Sequence, residues 1–423
     1  MCCMKRMVVG LIVVLATAVL TLAQAPIGSI EGTVTDPTGA VIPFARITIT
    51  ELATGRVISL GSTSAGIYVA RALPPGRYKV EIAARRFRTF MIPEVVVEAG
   101  KVVEASAQLE LGAATQTVEV SASPVQVNTS TATVAGVITA AQIDDLPLNA
   151  RNFLDLAIVE PGVQIADGGS IDPTKSATYR TVQIQGRSGT GTRVQIDGID
   201  VTDETVGTTV ANISADAVQE FELSQSTLDL STSLTSSGAV SIISKSGGNQ
   251  FHGAGFWFYR NQDMGARLDF NPQAVPFHRT QVGYQVGGPI KKDTLFFFSN
   301  WERTYQQAQN SYTSDQNFPN IPFGSTHNCT TGCFAGVPLG IRMFDERIDW
   351  NARSNVRTFF RFGQDWNVSG GGSIPVSPFQ NKDQTNMLVA GLDLPFRIGL
   401  FPQPDRQPEL CRLPIPDCRW NGV

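Results

Sequence analysis

The feature that most constrains the fold is a change of pattern at Lys245-Ser246-Gly247-Gly248-Asn249, where Gly/Ser/Thr-rich sequence gives way to aromatic stretches of strand length. Phe251–Asn261 and Leu295–Arg303 are two such stretches, and Val356–Trp366 is the clearest. With a side-chain period of two, Val356, Thr358, Phe360, Phe362 and Trp366 share one face, and Arg357, Arg361 and Asp365 share the other. Phe344, Glu346, Ile348 and Trp350 alternate in the same way with Asp345, Arg347, Asp349 and Asn351, with Glu346 out of place on the apolar side. One face suits lipid and the other water. Transmembrane strands need about 9–11 such residues and a closed barrel to pair every amide. A soluble sandwich shares the alternation, so the rest of the chain must decide between the two.

Lys5 and Arg6, an apolar run from Met7 to Leu22, and the small residues Ala23-Gln24-Ala25 make residues 1–23 a secretory signal peptide. Cleavage is expected after Ala23, because Pro26 would directly follow a cut after Ala25. No later run is apolar over the length of a helix, so any further membrane crossing must use strands. That combination points to a bacterial outer membrane. With a formal net charge of -4 over 423 residues and no basic face beyond Arg85-Arg86-Phe87-Arg88, nucleic acid is not an expected partner.

Four cysteines follow the signal peptide, and outside the cytoplasm their even number suggests two local disulfides, Cys329 with Cys333 and Cys411 with Cys418. His327 beside Cys329 and Cys333 leaves a metal site short of a fourth ligand. His252, His278 and His327 stand in no metallopeptidase motif, and no nucleophile, base and orienting group fall together, so neither an enzyme nor a cofactor is expected.

Residues 24–112 read as short strands with turns at Asp36-Pro37-Thr38-Gly39 and Pro74-Pro75-Gly76, about seven strands of a small sandwich. Thr117-Val118-Glu119-Val120 is an isolated strand in a polar linker, residues 113–129, open to pairing with a foreign sheet edge or serving only as a connection. Residues 130–246 read as a mixed domain. Thr139 caps a short helix ending before Pro147, and a second helix lies near Phe153. Two strands around Val182–Gln185 and Arg193–Asp197 follow. Asp197, Asp200, Asp203 and Glu204 offer clustered oxygens for calcium, or simply a solvated loop that faces a pore. Gly186–Gly191 lacks the Gly-Lys-Ser/Thr ending of a phosphate loop.

Gly32-Thr33-Val34-Thr35-Asp36, Gly66-Ile67-Tyr68 and Leu73-Pro74-Pro75-Gly76-Arg77-Tyr78 resemble the carboxypeptidase regulatory-like domain, an immunoglobulin-like module without catalytic residues. Leu146–Leu156, Val182–Ser188, Arg193–Val201 and Gly238–Gly247 occur in the order that resembles the plug domain of TonB-dependent outer-membrane transporters. With Phe251-His252-Gly253, Gly287-Gly288-Pro289-Ile290 and Phe296-Phe297-Phe298, the chain resembles the Oar-like subgroup over about residues 27 to 400. It departs at Gln185, where plugs often carry Arg, which puts a plug-to-barrel salt bridge there in doubt.

The resemblance implies a mainly β protein: an N-terminal β-sandwich, an α+β plug, and the first strands of an antiparallel transmembrane β-barrel over residues 247–400. It implies outer-membrane lipid around the barrel and a large solute, carbohydrate, peptide or protein, as cargo. It places the plug and N-terminal domain on the periplasmic side. TonB would contact Thr117, Val118, Glu119 and Val120, and Arg187, Arg193, Asp197, Asp200 and Asp203 would line or gate the path. Such barrels close with about 22 strands, whereas residues 251–423 supply about six to eight. Residues 401–423 also lose alternation, so a truncated or frameshifted product, or a gene-prediction fragment, is the expectation. The alternative function is a cell-surface binding or adhesion protein without transport.

Overall fold

The computed structural model describes residues 27–112, 117–119, 135–146, 148, 151–167, 179–225, 235–265, 276–312, 333–336, 338–353, 356–371 and 379–393. The chain is mainly β, and among the described residues no helix is long and apolar enough to cross a membrane.

The N-terminal alternation yields eight strands: β1 (Gly28–Thr35), β2 (Arg46–Glu51), β3 (Val57–Gly61), β4 (Ile67–Leu73), β5 (Gly76–Ala83), β6 (Thr89–Val97), β7 (Val102–Glu104) and β8 (Ala107–Gln108). They form two sheets. One has the order β4-β1-β7 with β8 also on β1; the other runs β3-β2-β5-β6 and ends on β9 (Thr117–Glu119). Every second residue of β1 and β5 is buried, and Ile30, Val34, Tyr78, Val80 and Ile82 join one core with Ile47 and Ile49 of β2. Tyr68 enters that core because its hydroxyl has a partner, donating to Ala105 O at 2.5 Å. Burial pushes the Tyr68 phenol above its usual range and keeps it neutral.

A mixed central unit follows. Its sheet runs β10 (Ala135–Thr139), β15 (Val218–Ser224), β16 (Gly238–Ser244), β13 (Thr192–Ile196), β14 (Ile199–Asp200), with β11 (Val163–Asp167) and β12 (Arg180–Ile184) as a separate pair. Helix α1 (Ala140–Asp145) starts where Gln142 accepts the Thr139 N–H at 3.0 Å, the return half of a capping box. The second helix is a 3-10 helix, Phe153–Val159, opened by Asn152 Oδ1 accepting from Leu154 N at 3.0 Å. It buries Phe153, Leu154 and Leu156 against Phe221, Val240 and Ile242.

The remaining strands form one antiparallel sheet: β17 (His252–Asn261), β18 (Phe277–Lys291), β19 (Leu295–Tyr312), β21 (Leu339–Arg353), β22 (Val356–Gly371) and β23 (Phe379–Asp393), with β20 (Cys333–Gly336) on the end of β19. From β18 onward the long strands have 15 to 18 residues, more than the about 9–11 that span a bilayer. The outer face carries aromatic pairs, Trp257 with Tyr259 and Tyr284 with Trp301, together with exposed Ile348, Trp350 and Phe360.

The opposite face corrects an expectation. Arg357, Arg361 and Asp365 alternate with the apolar residues as the sequence predicts, yet they are buried rather than wet, and so are Asp345, Arg347 and Asp349. The central unit lies over them. Its apolar core takes in only Phe298 among the described buried residues of this sheet, with partly buried Met387 at its margin, so the contact between the two bodies is mainly polar. The disulfide candidates Cys329, Cys411 and Cys418 lie outside the described residues. Cys333 is described only as part of the β20 backbone, paired with Tyr312.

Candidate functional site between the central unit and the long-stranded sheet

The site begins at a two-residue turn. β13 and β14 pair through Ile196↔Ile199, leaving Asp197-Gly198 to reverse the chain with φ of 50° and 81°. Asp-Gly suits this turn because both central residues need positive φ. The turn carries the Asp197 side chain to the boundary between the central unit and the sheet. There its carboxylate accepts from Ser244 N at 2.9 Å and Ser244 Oγ at 2.8 Å, and meets Arg347 Nη1 at 3.3 Å and Arg361 Nη1 at 3.5 Å.

The register explains why a carboxylate belongs there. Arg347 on β21 and Arg361 on β22 are direct cross-strand partners. Like charges directly opposite are destabilising. Asp197 sits between both guanidinium groups, which are almost wholly shielded from solvent. The network extends along the sheet. Arg347 grips Asp349 through Nε at 2.9 Å and Nη2 at 3.0 Å, Arg357 reaches Asp349 at 2.9 Å, and Arg361 is bonded to Asp345. Three aspartates thus balance three arginines. Phe359 adds its ring face, 4.3 Å from the Arg347 guanidinium carbon.

Further contacts repeat the theme. Asn212 donates to Asp365 Oδ2 through its backbone N at 3.2 Å and its Nδ2 at 2.9 Å. Ser214 donates to Glu302 at 2.6 Å. Arg151 approaches Glu302 at 3.7 Å, bonds Asp216 within the central unit, and lies over the Phe256 ring of β17 at 4.1 Å. Asn367 donates to the Tyr179 hydroxyl at 2.9 Å. Burial, reinforced by the negative charge of Asp365, raises the Tyr179 phenol above its usual range, so it stays neutral.

Of the sequence-predicted residues, Asp197 alone enters this interface, against the expectation of a solvated loop. Arg193 of β13 pairs with Glu204 at 2.7 Å and Asp200 at 3.5 Å. Arg187 donates to Ser236 O at 2.9 Å. Asp203 caps its own turn, accepting from Thr205 N at 2.9 Å. The four acidic groups therefore do not converge, and among the described residues no cluster of three or more His, Cys, Asp or Glu has metal-site geometry. Gln185 makes no ion pair with the sheet; it donates to Gln225 at 3.0 Å. Sequence reasoning missed Arg347, Arg361 and Ser244. The signal was available in the charges of both signs repeated along the polar faces of two successive strands.

The N-terminal unit reaches both other bodies. Ala99 N donates to Glu220 Oε2 at 2.8 Å, Lys101 Nζ to Ala135 O at 3.3 Å, and Asn249 N to Ala53 O at 2.8 Å. Glu220 is buried, and burial pushes its carboxyl up to about 8; the Ala99 N–H opposes this, while Glu98 and Glu222 add to it. A cavity of about 580 Å³ opens where the three bodies meet, lined by Arg77 and Glu94 of the first, Ser246 and Gly247 of the second, and Arg357 and Phe359 of the third. Thr117–Glu119 is not isolated: it pairs in parallel with β6 through Thr89↔Thr117, Phe90↔Val118 and Met91↔Glu119. Val120 lies outside the described residues.

Comparison with known proteins adds to this geometry. The profile of the carboxypeptidase regulatory-like domain matches residues 29–110, and that of an outer membrane beta barrel domain matches residues 243–322. The TonB-dependent transporter Oar of Myxococcus xanthus is 22% identical over 264 residues, 59% of this chain and 24% of that protein. The outer membrane transporter YddB from Escherichia coli is 13% identical with a TM-score of 0.49, covering 62% of this chain and 37% of the other. The siderophore receptor PirA from Acinetobacter baumannii is 18% identical with a TM-score of 0.37, covering 56% and 31%. The chain thus spans about a quarter of the length of Oar and about a third of these receptors. It is an outer-membrane protein with a carboxypeptidase regulatory-like domain and an outer-membrane β-barrel domain, a homologue of the TonB-dependent transporter Oar.

Proposed function

We propose that the central unit is a plug, that the long-stranded sheet is barrel wall, and that the chain serves TonB-energised movement of a large solute across the outer membrane. The N-terminal unit and plug face the periplasm, and Thr117–Val120 is the segment that TonB grips. No chemistry is done on the solute. The observation that carries this reading is the seat of Asp197 between Arg347 and Arg361. A plug must occlude a pore yet yield to a pull. An apolar core would weld it to the wall, whereas a polar contact can be exchanged for water one bond at a time.

Support also comes from buried acceptors in this contact without a protein partner, Glu302 Oε1, Asp365 Oδ1 and Asn367 Oδ1. A partly satisfied network is a weaker lock than a complete one. Arg187, Arg193, Asp200 and Asp203 would meet solute.

The test is binding of the soluble C-terminal domain of TonB to the purified chain in detergent. Strand addition rests on backbone bonds, so Val118→Pro should abolish it. Binding that survives the proline would remove the contact segment from the proposal.

A further inference from the structure

β9 is the last strand of its sheet: β6 holds its inner edge, and among the described residues no strand pairs with its outer edge. The ladder is short, three residues, and Pro93, with no N–H to give, stands two residues beyond its end on β6. A strand in a sheet presents its backbone groups to both sides, so an end strand with one side taken still offers the other as a template. We infer that the two-sheet unit presents the TonB-contact segment: TonB adds its strand to the outer edge of β9 while β6 stays paired on the inner edge. This rests on the reading of Thr117–Val120 as the TonB contact.

The physical gain is preorganisation. A loose linker segment must be ordered when TonB arrives, and that ordering weakens binding. A segment already extended on β6 has been ordered in advance. The opposite arrangement, in which β6 hides the segment and must let go first, would make the same ladder an obstacle.

Locking the ladder separates the two. Met91 and Glu119 are register partners, and neighbouring strands lie about 4.7–4.9 Å apart, within the reach of a disulfide. Phe90 packs toward the core of the unit, so its neighbour Met91 faces away and tolerates replacement. The full chain carrying Met91→Cys and Glu119→Cys is oxidised, the 91–119 link is verified by mass mapping, and binding of the TonB C-terminal domain is measured before and after reduction. Each molecule is then its own folding control, and the unsubstituted chain under both conditions reports any effect of the other cysteines.

Presentation predicts that the link forms and that the oxidised chain binds as tightly as the reduced one, or up to about tenfold tighter. A loss of tenfold or more on oxidation, recovered on reduction, overturns it in favour of sequestration. Failure of the link to form also overturns it, since the strands would not be neighbours. Val118→Pro tells the two failures apart: unchanged binding in that variant would refute the contact segment itself, whereas loss there with loss in the locked chain refutes presentation alone.

Discussion

Asp197→Asn asks most directly whether a single carboxylate seats the plug. Asn-Gly forms the same turn as Asp-Gly, so the β13–β14 hairpin keeps its backbone and only the charge is removed. The amide oxygen can still accept from Ser244 N, but Arg347 and Arg361, opposed in register, lose the anion between them. The balanced network becomes one positive charge in excess. Removing one partner of a buried pair costs about 3–5 kcal/mol, against about 0–1 for an exposed one. The penalty should fall on the contact between the central unit and the long-stranded sheet, and be read as earlier thermal unfolding in detergent and faster hydrogen exchange at Ser244 N. Replacing Arg361 with Leu in the same chain restores the balance of charge. The double variant should therefore recover part of the loss, with a coupling of about 1–3 kcal/mol. A coupling near zero, or unchanged exchange at Ser244 in the single variant, would refute the idea that Asp197 neutralises the opposed arginines.

Other perturbations probe separate contacts. Arg151→Met leaves Glu302 and Asp216 without their cation and removes the group over Phe256, so thermal unfolding should show a loss of about 3–5 kcal/mol; no change would place Arg151 outside the seat. Asn249→Ala removes both side-chain bonds to Asp293 but not the backbone bond to Ala53, so limited proteolysis near Asn249 should accelerate modestly, in line with about 1–2 kcal/mol. The Glu220 carboxyl is raised from 4.5 to about 8 in the fold by burial and by Glu98 and Glu222, so its contribution to the stability of this buried junction is full below pH 4.5 and is lost as pH rises through 8. Glu220→Gln should remove the pH dependence over that window, measured as proteolytic release of the N-terminal unit.

Much of the architecture was legible because strand patterns are local. The alternation of Val356–Trp366 fixes which residues share a face, and the sheet keeps that division. What covers each face is not local. Arg361 reads as a wet residue because no neighbour in sequence says otherwise; its partner Asp197 is distant in the chain and arrives only when the central unit docks. The same holds for Thr117–Glu119, whose polar flanks suggested isolation, while its partner β6 sits in the unit just before it. Asp197 itself was singled out as a member of an acidic loop. Its separation from Asp200 and Asp203 depends on the turn at Gly198, which sends one carboxylate to the wall and leaves the others outside.

These placements bear on how a pull could reach the plug. β6 pairs with β9 at its beginning, and just beyond its end Ala99 is bonded to Glu220 on β15 of the central unit. The short 3-10 helix that opens β15 is capped by Ser214, whose hydroxyl bonds Glu302 of β19. Tension on β9 that passes through β6 therefore meets first a three-residue ladder, then the bonds of Ala99 to Glu220, Lys101 to Ala135 and Ala53 to Asn249, and only then the ionic seat. The weakest link in a series yields first. With Glu220 ionised, its buried charge and the repulsion from Glu98 weaken the junction, and the N-terminal unit would part from the central unit before the central unit leaves the long-stranded sheet. With Glu220 protonated, the load passes on to Ser214 and Glu302. Force applied by optical tweezers between a handle at Thr117 and the barrel should thus show an extra early rupture at pH 8.5 that is absent at pH 5, and Glu220→Gln should behave as at pH 5 throughout. One rupture pattern at both pH values would mean that the N-terminal unit carries no load.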